Sequence, residues 1–459
     1  MQLHPPREET IAGVGQALRA QSRTCVDVVA GCLAQIDGWE SQVHAWVSVD
    51  REGALSSARQ IDRELAAGNW RGPLHGIPIG IKDLVDVAGW PTAAGAPWLA
   101  KSVASHDAPL VERLRTAGAI ILGKTVTTQF ACFDPPPTRN PWNLERTPGG
   151  SSSGSAAAVA TGMCLGAIGS QTGGSITRPA SFCGIAGCKP SFGLVPLKGV
   201  YPLSASLDHA GPLARSVEDL AILLEAIVDP ADRALLKKGD RHLAPALFSG
   251  IFDPPQADSE PVPAFQQPKS VRLGRLRGMF IDLAEPQGLA VFETTLDLFA
   301  RAGAKIADVA LPPAFDDVLR CHRIIMTTEM AEHHRNSLAT HAADYLPGIR
   351  SLIEEGLQVD PAEYARCKAH QQAVLREIGA AFGDVDVLVC PAAVGPAPTT
   401  ETTGDPSFNA PWSYTGLPTI SFPIGLSADG LPLAIQLVGR PHDESTLFGV
   451  AAWCERRVE

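Results

Sequence analysis

The spacing of apolar positions changes along this chain. Up to about residue 70 they recur at helical intervals. Thr24-Cys25-Val26-Asp27 has the form of a capping box with Asp in place of Glu, and it opens an amphipathic run to about Ile36. A further helix is predicted from about Glu52 to Ala66. Gly76-Ile77-Pro78-Ile79-Gly80-Ile81-Lys82 is then a continuous apolar run with a polar end, as a buried strand requires. A helix near Pro109–Ala117 leads to a second apolar strand, Ala119-Ile120-Ile121-Leu122. Strand, helix and strand in alternation predict an α/β fold with a mixed sheet. Residues 228–270 are rich in Pro and Asp, weakly periodic, and predicted to be a linker or excursion. Alternation resumes at Val271–Leu276, residues 318–382 are mainly helical, and Val385–Cys390, Thr419–Phe422 and Leu433–Val438 return to strands before a helix near Glu444–Glu455.

Composition narrows the function. The 459 residues carry a formal charge of −11, which repels phosphate backbones and anionic membranes and excludes a nucleic-acid binder. No apolar run is long enough to span a bilayer, and the first residues lack the basic and apolar regions of a signal peptide. The ten cysteines are scattered with no CxxC pair, so they are expected to be reduced and structural, in a cytoplasmic protein. The twelve histidines form no zinc-ligand spacing, and neither metal nor cofactor is expected.

The segment that carries chemistry is dense in Gly and Ser. Gly149-Gly150-Ser151 and Gly173-Gly174-Ser175 are two Gly-Gly-Ser turns separated by a small-residue helix and a short apolar strand. Such turns allow close approach of a ligand, and their N–H groups can form an oxyanion hole. A flexible linker would lack the embedded helix and strand. A phosphate loop would need Gly-Lys-Ser/Thr after the glycines. Gly150-Ser151-Ser152-Ser153-Gly154 matches the nucleophile elbow, with Ser152 as nucleophile, but Pro141 and Pro148 make the preceding stretch a loop where the elbow needs a strand. A serine nucleophile also needs a base. No histidine adjoins either turn, and a lysine serves when burial lowers its pKa from about 10.4. Lys82, at the end of an apolar strand, is a candidate; a strand-end lysine is also a common solvated residue.

From about residue 10 to 457 the chain resembles the amidase signature hydrolases. The resemblance rests on the two turns, then on Thr172-Gly173-Gly174-Ser175-Ile176 followed by Pro179-Ala180, Phe182-Cys183-Gly184 and Gly187-Cys188-Lys189-Pro190. Gly76-Ile77-Pro78 before Lys82-Asp83, Leu207-Asp208-His209-Ala210-Gly211-Pro212, and Tyr414-Thr415-Gly416-Leu417-Pro418 extend it. It implies one domain, an α/β/α sandwich whose twisted mixed sheet is covered by helices: N-terminal helices (1–70), a signature core (71–225) and a helical pocket segment (318–382). It also implies Ser175 as nucleophile, Ser151 as bridging serine beside a cis peptide bond, Lys82 as general base, and the N–H groups of Thr172, Gly173, Gly174 and Ser175 as oxyanion hole. The substrate class would be a small-molecule amide or carbamate, with no cofactor. A homodimer is left open, as are two other functions on the same scaffold: an amidotransferase component of a tRNA-dependent complex and a non-catalytic binder.

The chain departs from the family pattern at Gln171, where Asp is common, and at Arg178, one place later than usual. Either Gln171 and Arg178 hold each other in a hydrogen bond, or Arg178 binds a substrate carboxylate. Met326, Met330, Tyr345, Leu352 and Ile353 are either walls of a pocket over the triad or core packing. The substrate expected is an uncharged or aryl amide or carbamate.

Overall fold

The computed structural model describes residues 9–232 and 270–458; most of the predicted excursion at 228–270 lies outside them. Among the described residues eleven strands form one sheet in the order β1-β3-β2-β4-β6-β5-β10-β11-β9-β7-β8, numbered along the chain. The first half contains β1 (Trp46–Val49), β2 (Pro78–Lys82), β3 (Ile120–Thr125), β4 (Gly166–Gln171), β5 (Ala186–Lys189) and β6 (His209–Ala214). The second contains β7 (Arg272–Leu276), β8 (Lys305–Val309), β9 (Val387–Pro391), β10 (Thr419–Leu426) and β11 (Pro432–Val438). β2 runs parallel to β3 and β4, and β7 parallel to β8 and β9; the remaining pairs are antiparallel, which makes the sheet mixed.

Both faces of this sheet are covered, and β9 shows how. Val387 and Val389 join the apolar cluster on one face, with the N-terminal helices and the C-terminal helix Glu444–Val458. Leu388 and Cys390 join the cluster on the other, with the helices between Val318 and Ala381. Alternate side chains of a strand point to opposite faces, so a strand apolar at every position must be buried between two layers. This is the expected α/β/α sandwich.

Local chemistry explains where elements begin and end. The capping box at Thr24 and Asp27 is formed. Its helix continues past the expected Ile36 to Val43, because no proline and only one glycine, Gly38, lie on the way, and it stops where His44 turns left-handed. β2 starts at Pro78, after Gly76 takes φ +92°, a conformation a strand cannot hold. Lys82 and Gln171 are the last residues of the parallel neighbours β2 and β4, so the chain leaves both strands at the same edge of the sheet. Crevices outside the carboxyl ends of parallel strands are where α/β sheets bind ligands.

Candidate active site

Lys82 is completely buried at that edge. Its Nζ lies 2.7 Å from Ser151 Oγ, 2.9 Å from Ser170 Oγ and 3.0 Å from Ser152 Oγ, with no carboxylate among these contacts. Burial pushes its pKa well below the ordinary lysine value, opposed only by the charge of Asp208. A neutral lysine has two N–H donors and one lone pair, so three hydroxyls around it satisfy it when one of them donates. Ser152 Oγ directs its proton to the Ser170 carbonyl at 3.2 Å. The lone pair is therefore left to Ser151 or Ser170.

Ser151 reaches this position through a tight turn. The Gly150–Ser151 peptide bond is cis, and Gly149 has φ +80°. A Cβ on Gly149 would come 2.8 Å from Pro179 Cα, so only glycine fits between the two signature segments. Ser153 donates to the Gly149 carbonyl at 2.7 Å and ties the turn to the small-residue helix Ser153–Ala160. The Ser152 N–H reaches the Ser175 carbonyl at 3.3 Å and joins the two turns. No strand leads into Ser152, whose buried side chain is engaged with Lys82 and Ser170, so the structural context of a nucleophile elbow is missing.

A small cleft opens on the turns, and Ser151, Thr172, Gly173, Gly174, Ser175 and Arg178 are among the residues that line it. Ser175 is 7% exposed and Ser151 1%. The structure thus brings every predicted site residue to one place, with Lys82 reaching it through Ser151. Among the described residues no hydrogen bond joins Ser175 Oγ to Ser151 Oγ; such links commonly tighten only when substrate is bound.

Of the two alternatives for Arg178, the hydrogen bond to Gln171 is not formed. Gln171 Oε1 instead accepts from the N–H groups of Ile176 and Thr177 at 2.9 and 3.0 Å, the orphan donors that open the helix Thr177–Cys183. That helix start turns Arg178 toward the first turn, where Nη2 donates to the Gly150 carbonyl at 2.8 Å. Arg178 Nε and Nη1 are buried with no partner, and burial lowers the guanidinium pKa to about 10, opposed by Asp405. The one-place offset of the arginine is thus accommodated by a new partner, the backbone of the cis peptide.

The rest of the cleft lining is apolar: Ala131, Cys132, Phe133, Leu203, Met326 and Pro406. Of the five residues proposed for this wall from 318–382, Met326 borders the cleft, while Met330, Tyr345, Leu352 and Ile353 pack in the core cluster beneath. Among the described residues no group of three or more His, Cys, Asp or Glu is placed to hold a metal ion, and no helix is long and apolar enough to cross a membrane. All ten cysteines are free and buried.

Sequence reasoning missed Ser170 and the 131–133 wall. Ser170 was detectable as the one hydroxyl in the otherwise small and apolar run Gly166–Ser170, two positions from Ile168 and so on the same face of β4. Nothing local marks 131–133, which are brought in by two successive left-handed residues, Phe130 and Ala131 at φ 51° and 60°.

A family model described as Amidase matches residues 27–448. An amidase of Pseudomonas putida is 36% identical over 98% of this chain and 97% of that protein. One component of the glutamyl-tRNA(Gln) amidotransferase of Anaeromyxobacter sp. (strain K) is 34% identical over 97% of this chain and 95% of its own length. The structure of the peptide amidase from Stenotrophomonas maltophilia superposes with a TM-score of 0.81 at 28% identity, covering 99% of this chain and 98% of that one. Fold, site and matches define the class, hydrolases of amide C–N bonds. The chain belongs to the Amidase family, that of the amidase signature enzymes it resembles in sequence.

Proposed function

We propose that this chain hydrolyses a small-molecule amide through an acyl-enzyme on Ser175, with Ser151 as proton bridge and Lys82 as general base. The observation that carries this reading is the completely buried Lys82 amine, 2.7 Å from Ser151 Oγ and without a carboxylate partner. Burial lowers the pKa of such a lysine and favours the neutral form, which can take a proton. Ser151 gives its proton to Lys82 and takes one from Ser175, and Ser175 Oγ attacks the carbonyl carbon. The N–H groups of Thr172, Gly173, Gly174 and Ser175 hold the oxyanion. The C–N bond breaks as the nitrogen receives the Ser151 proton, which Lys82 replaces. Water then attacks the ester by the same route, releasing the acid and restoring Ser175.

The apolar wall supports an uncharged or aryl amide or carbamate as substrate. One observation favours a second reading: the unpartnered Nε and Nη1 of Arg178 beside the cleft suit a carboxylate on a small acidic amide. Likeness to the glutamyl-tRNA(Gln) amidotransferase component supports a role within a complex as an alternative to an independent hydrolase. One assay series tests all three: the purified chain alone against an anilide, an aryl carbamate, a malonamate and glutamine, with Ser175→Ala and Ser152→Ala beside it. The proposal expects turnover of a small amide or carbamate by the isolated chain, lost in Ser175→Ala. Turnover retained in Ser175→Ala and lost in Ser152→Ala would overturn the assignment. Glutamine hydrolysis appearing only with added partner proteins would favour the complex.

A further inference from the structure

The turn Thr172–Ser175 is gripped by two buried side chains distant from it in the chain. Thr172 Oγ1 donates to Asp208 Oδ1 at 2.5 Å. On the other side of the same residue, the Thr172 carbonyl accepts from His322 Nε2 at 2.8 Å. A carbonyl can only accept, so the imidazole carries a proton on Nε2; burial lowers the pKa of the ring, opposed by its hydrogen bond to the Thr172 carbonyl.

These two grips are connected to each other. The second oxygen of Asp208 accepts from the N–H groups of Leu203 and Ser204 at 2.8 and 3.0 Å. Ser204 Oγ donates in turn to Glu329 Oε2 at 2.6 Å, and the Ser206 N–H donates to the same oxygen at 2.9 Å. Glu329 and His322 belong to one helix, Val318–His341, and with Met326 they follow the i, i+4, i+7 spacing of a single helical face. The links form a closed circuit: Thr172, Asp208, the 203–206 loop, Glu329, the helix, His322 and Thr172 again.

We propose that this circuit is a positioning frame for the oxyanion turn, in which Asp208 and His322 fix Thr172 so that the N–H groups of residues 172–175 stay aimed at the reacting carbonyl. The inference rests on the acyl-transfer reading given above. It assigns the helix Val318–His341 a second task beside lining the cleft through Met326. Leu203, bonded to Asp208, and Met326, one turn from His322, both border the cleft, so the apolar wall and the oxyanion turn move as one body. A displacement of about 1 Å of such donors costs rate even when substrate still binds.

The test compares disruptive with conservative changes. Thr172→Val and His322→Leu each remove one grip at similar volume, whereas Thr172→Ser and His322→Gln keep a hydroxyl and an N–H donor. With the amide that the wild-type chain turns over best, both disruptive variants should lose about 10- to 100-fold in kcat with KM within about threefold. The conservative variants should recover most of that loss. The rate of sulfonyl fluoride labelling at Ser175, read by mass spectrometry, should fall in parallel. Folded Thr172→Val and His322→Leu proteins with kcat within twofold of wild type would overturn the frame. So would a loss confined to KM, or conservative variants as impaired as the disruptive ones. If Thr172→Val does not fold, His322→Leu against His322→Gln decides by itself. A wild type that takes no label at Ser175 removes the acyl-transfer reading and the frame together; a wild type labelled there, with Thr172→Val labelled equally fast, removes the frame alone.

Discussion

Two buried lysines stand side by side in this sheet and have opposite kinds of partner. β2 and β3 are parallel neighbours in which Ile81 pairs with Lys124 and Lys82 with Thr125. Both side chains are sealed from solvent, at 0% and 1% exposure. Lys124 Nζ meets Asp83 Oδ1 at 2.9 Å, with the Pro91 carbonyl at 3.1 Å and Thr92 Oγ1 at 3.2 Å. Lys82 meets serine oxygens. Burial depresses the pKa of each; at Lys124 a directly bonded carboxylate opposes the depression, and at Lys82 only Asp208, which is not bonded to it, does so. The same residue type, on adjacent strand ends, forms an ion pair where a carboxylate accompanies it, and where hydroxyls do it has the surroundings of the base proposed above. The partner, not the burial, separates the two.

The largest expected effect breaks the Lys82 side of that contrast. Lys82→Met should remove about 10³-fold or more of the turnover, as loss of a general base leaves binding and the oxyanion turn alone. Its Tm should be maintained or raised, because a lysine whose pKa is lowered by burial binds its proton less well in the fold than in the unfolded chain, which disfavours folding at pH values where the unfolded chain is protonated. A Tm drop comparable to that of an ion-pair mutant would show Lys82 to be a strut as well.

The reverse experiment is Lys124→Met. It leaves the Asp83 carboxylate buried and uncompensated, so it should destabilise the fold by about 3–5 kcal/mol, measured by urea denaturation. Asp83→Asn/Lys124→Met should recover part of that loss. If Lys124→Met instead abolished turnover at unchanged stability, the division of labour between the two lysines would be wrong.

A pH series sharpens the comparison further. With a depressed pKa at Lys82, kcat/KM should rise with pH along a limb centred below the ordinary lysine value of about 10.4. Asp208 is the charge that holds that pKa up, so Asp208→Asn should move the limb to lower pH. The shift would be read beside the fall in kcat expected from loosening Thr172. A limb that stays in place, or moves upward, contradicts the electrostatic link.

The smallest effect concerns Arg178, a buried cation that has neither a carboxylate partner nor a full set of hydrogen bonds. Arg178→Ala should lower kcat for every substrate by releasing the Gly150 carbonyl. A further rise of about 10-fold in KM for the malonamate, with KM for the anilide unchanged, is the mark of a carboxylate clamp. Equal changes for both substrates would leave Arg178 as a support for the first turn.

Much of this was determined by the sequence alone, because it depends on neighbours in the chain. Periodicity placed the strands that end at Lys82 and lead to the second turn, and the Gly-Gly-Ser pattern placed Ser151 and Ser175 on turns, with Gly149 at φ +80° where glycine is favoured. The order of motifs was enough to expect the sandwich and the triad. The tertiary structure decided what depends on distant residues. Gln171 was free, from sequence, to pair with Arg178; packing gave it the first N–H groups of the next helix and turned Arg178 onto the cis peptide. Of five candidate pocket residues on the helical segment, the rotation of the helices selected Met326 and sank the others into the core. Lys82 and Lys124 look alike in sequence, each near the end of an apolar strand. What distinguishes them is which oxygen atoms surround each amine once water is excluded, and that sum over residues far apart in the chain exists only in the folded molecule.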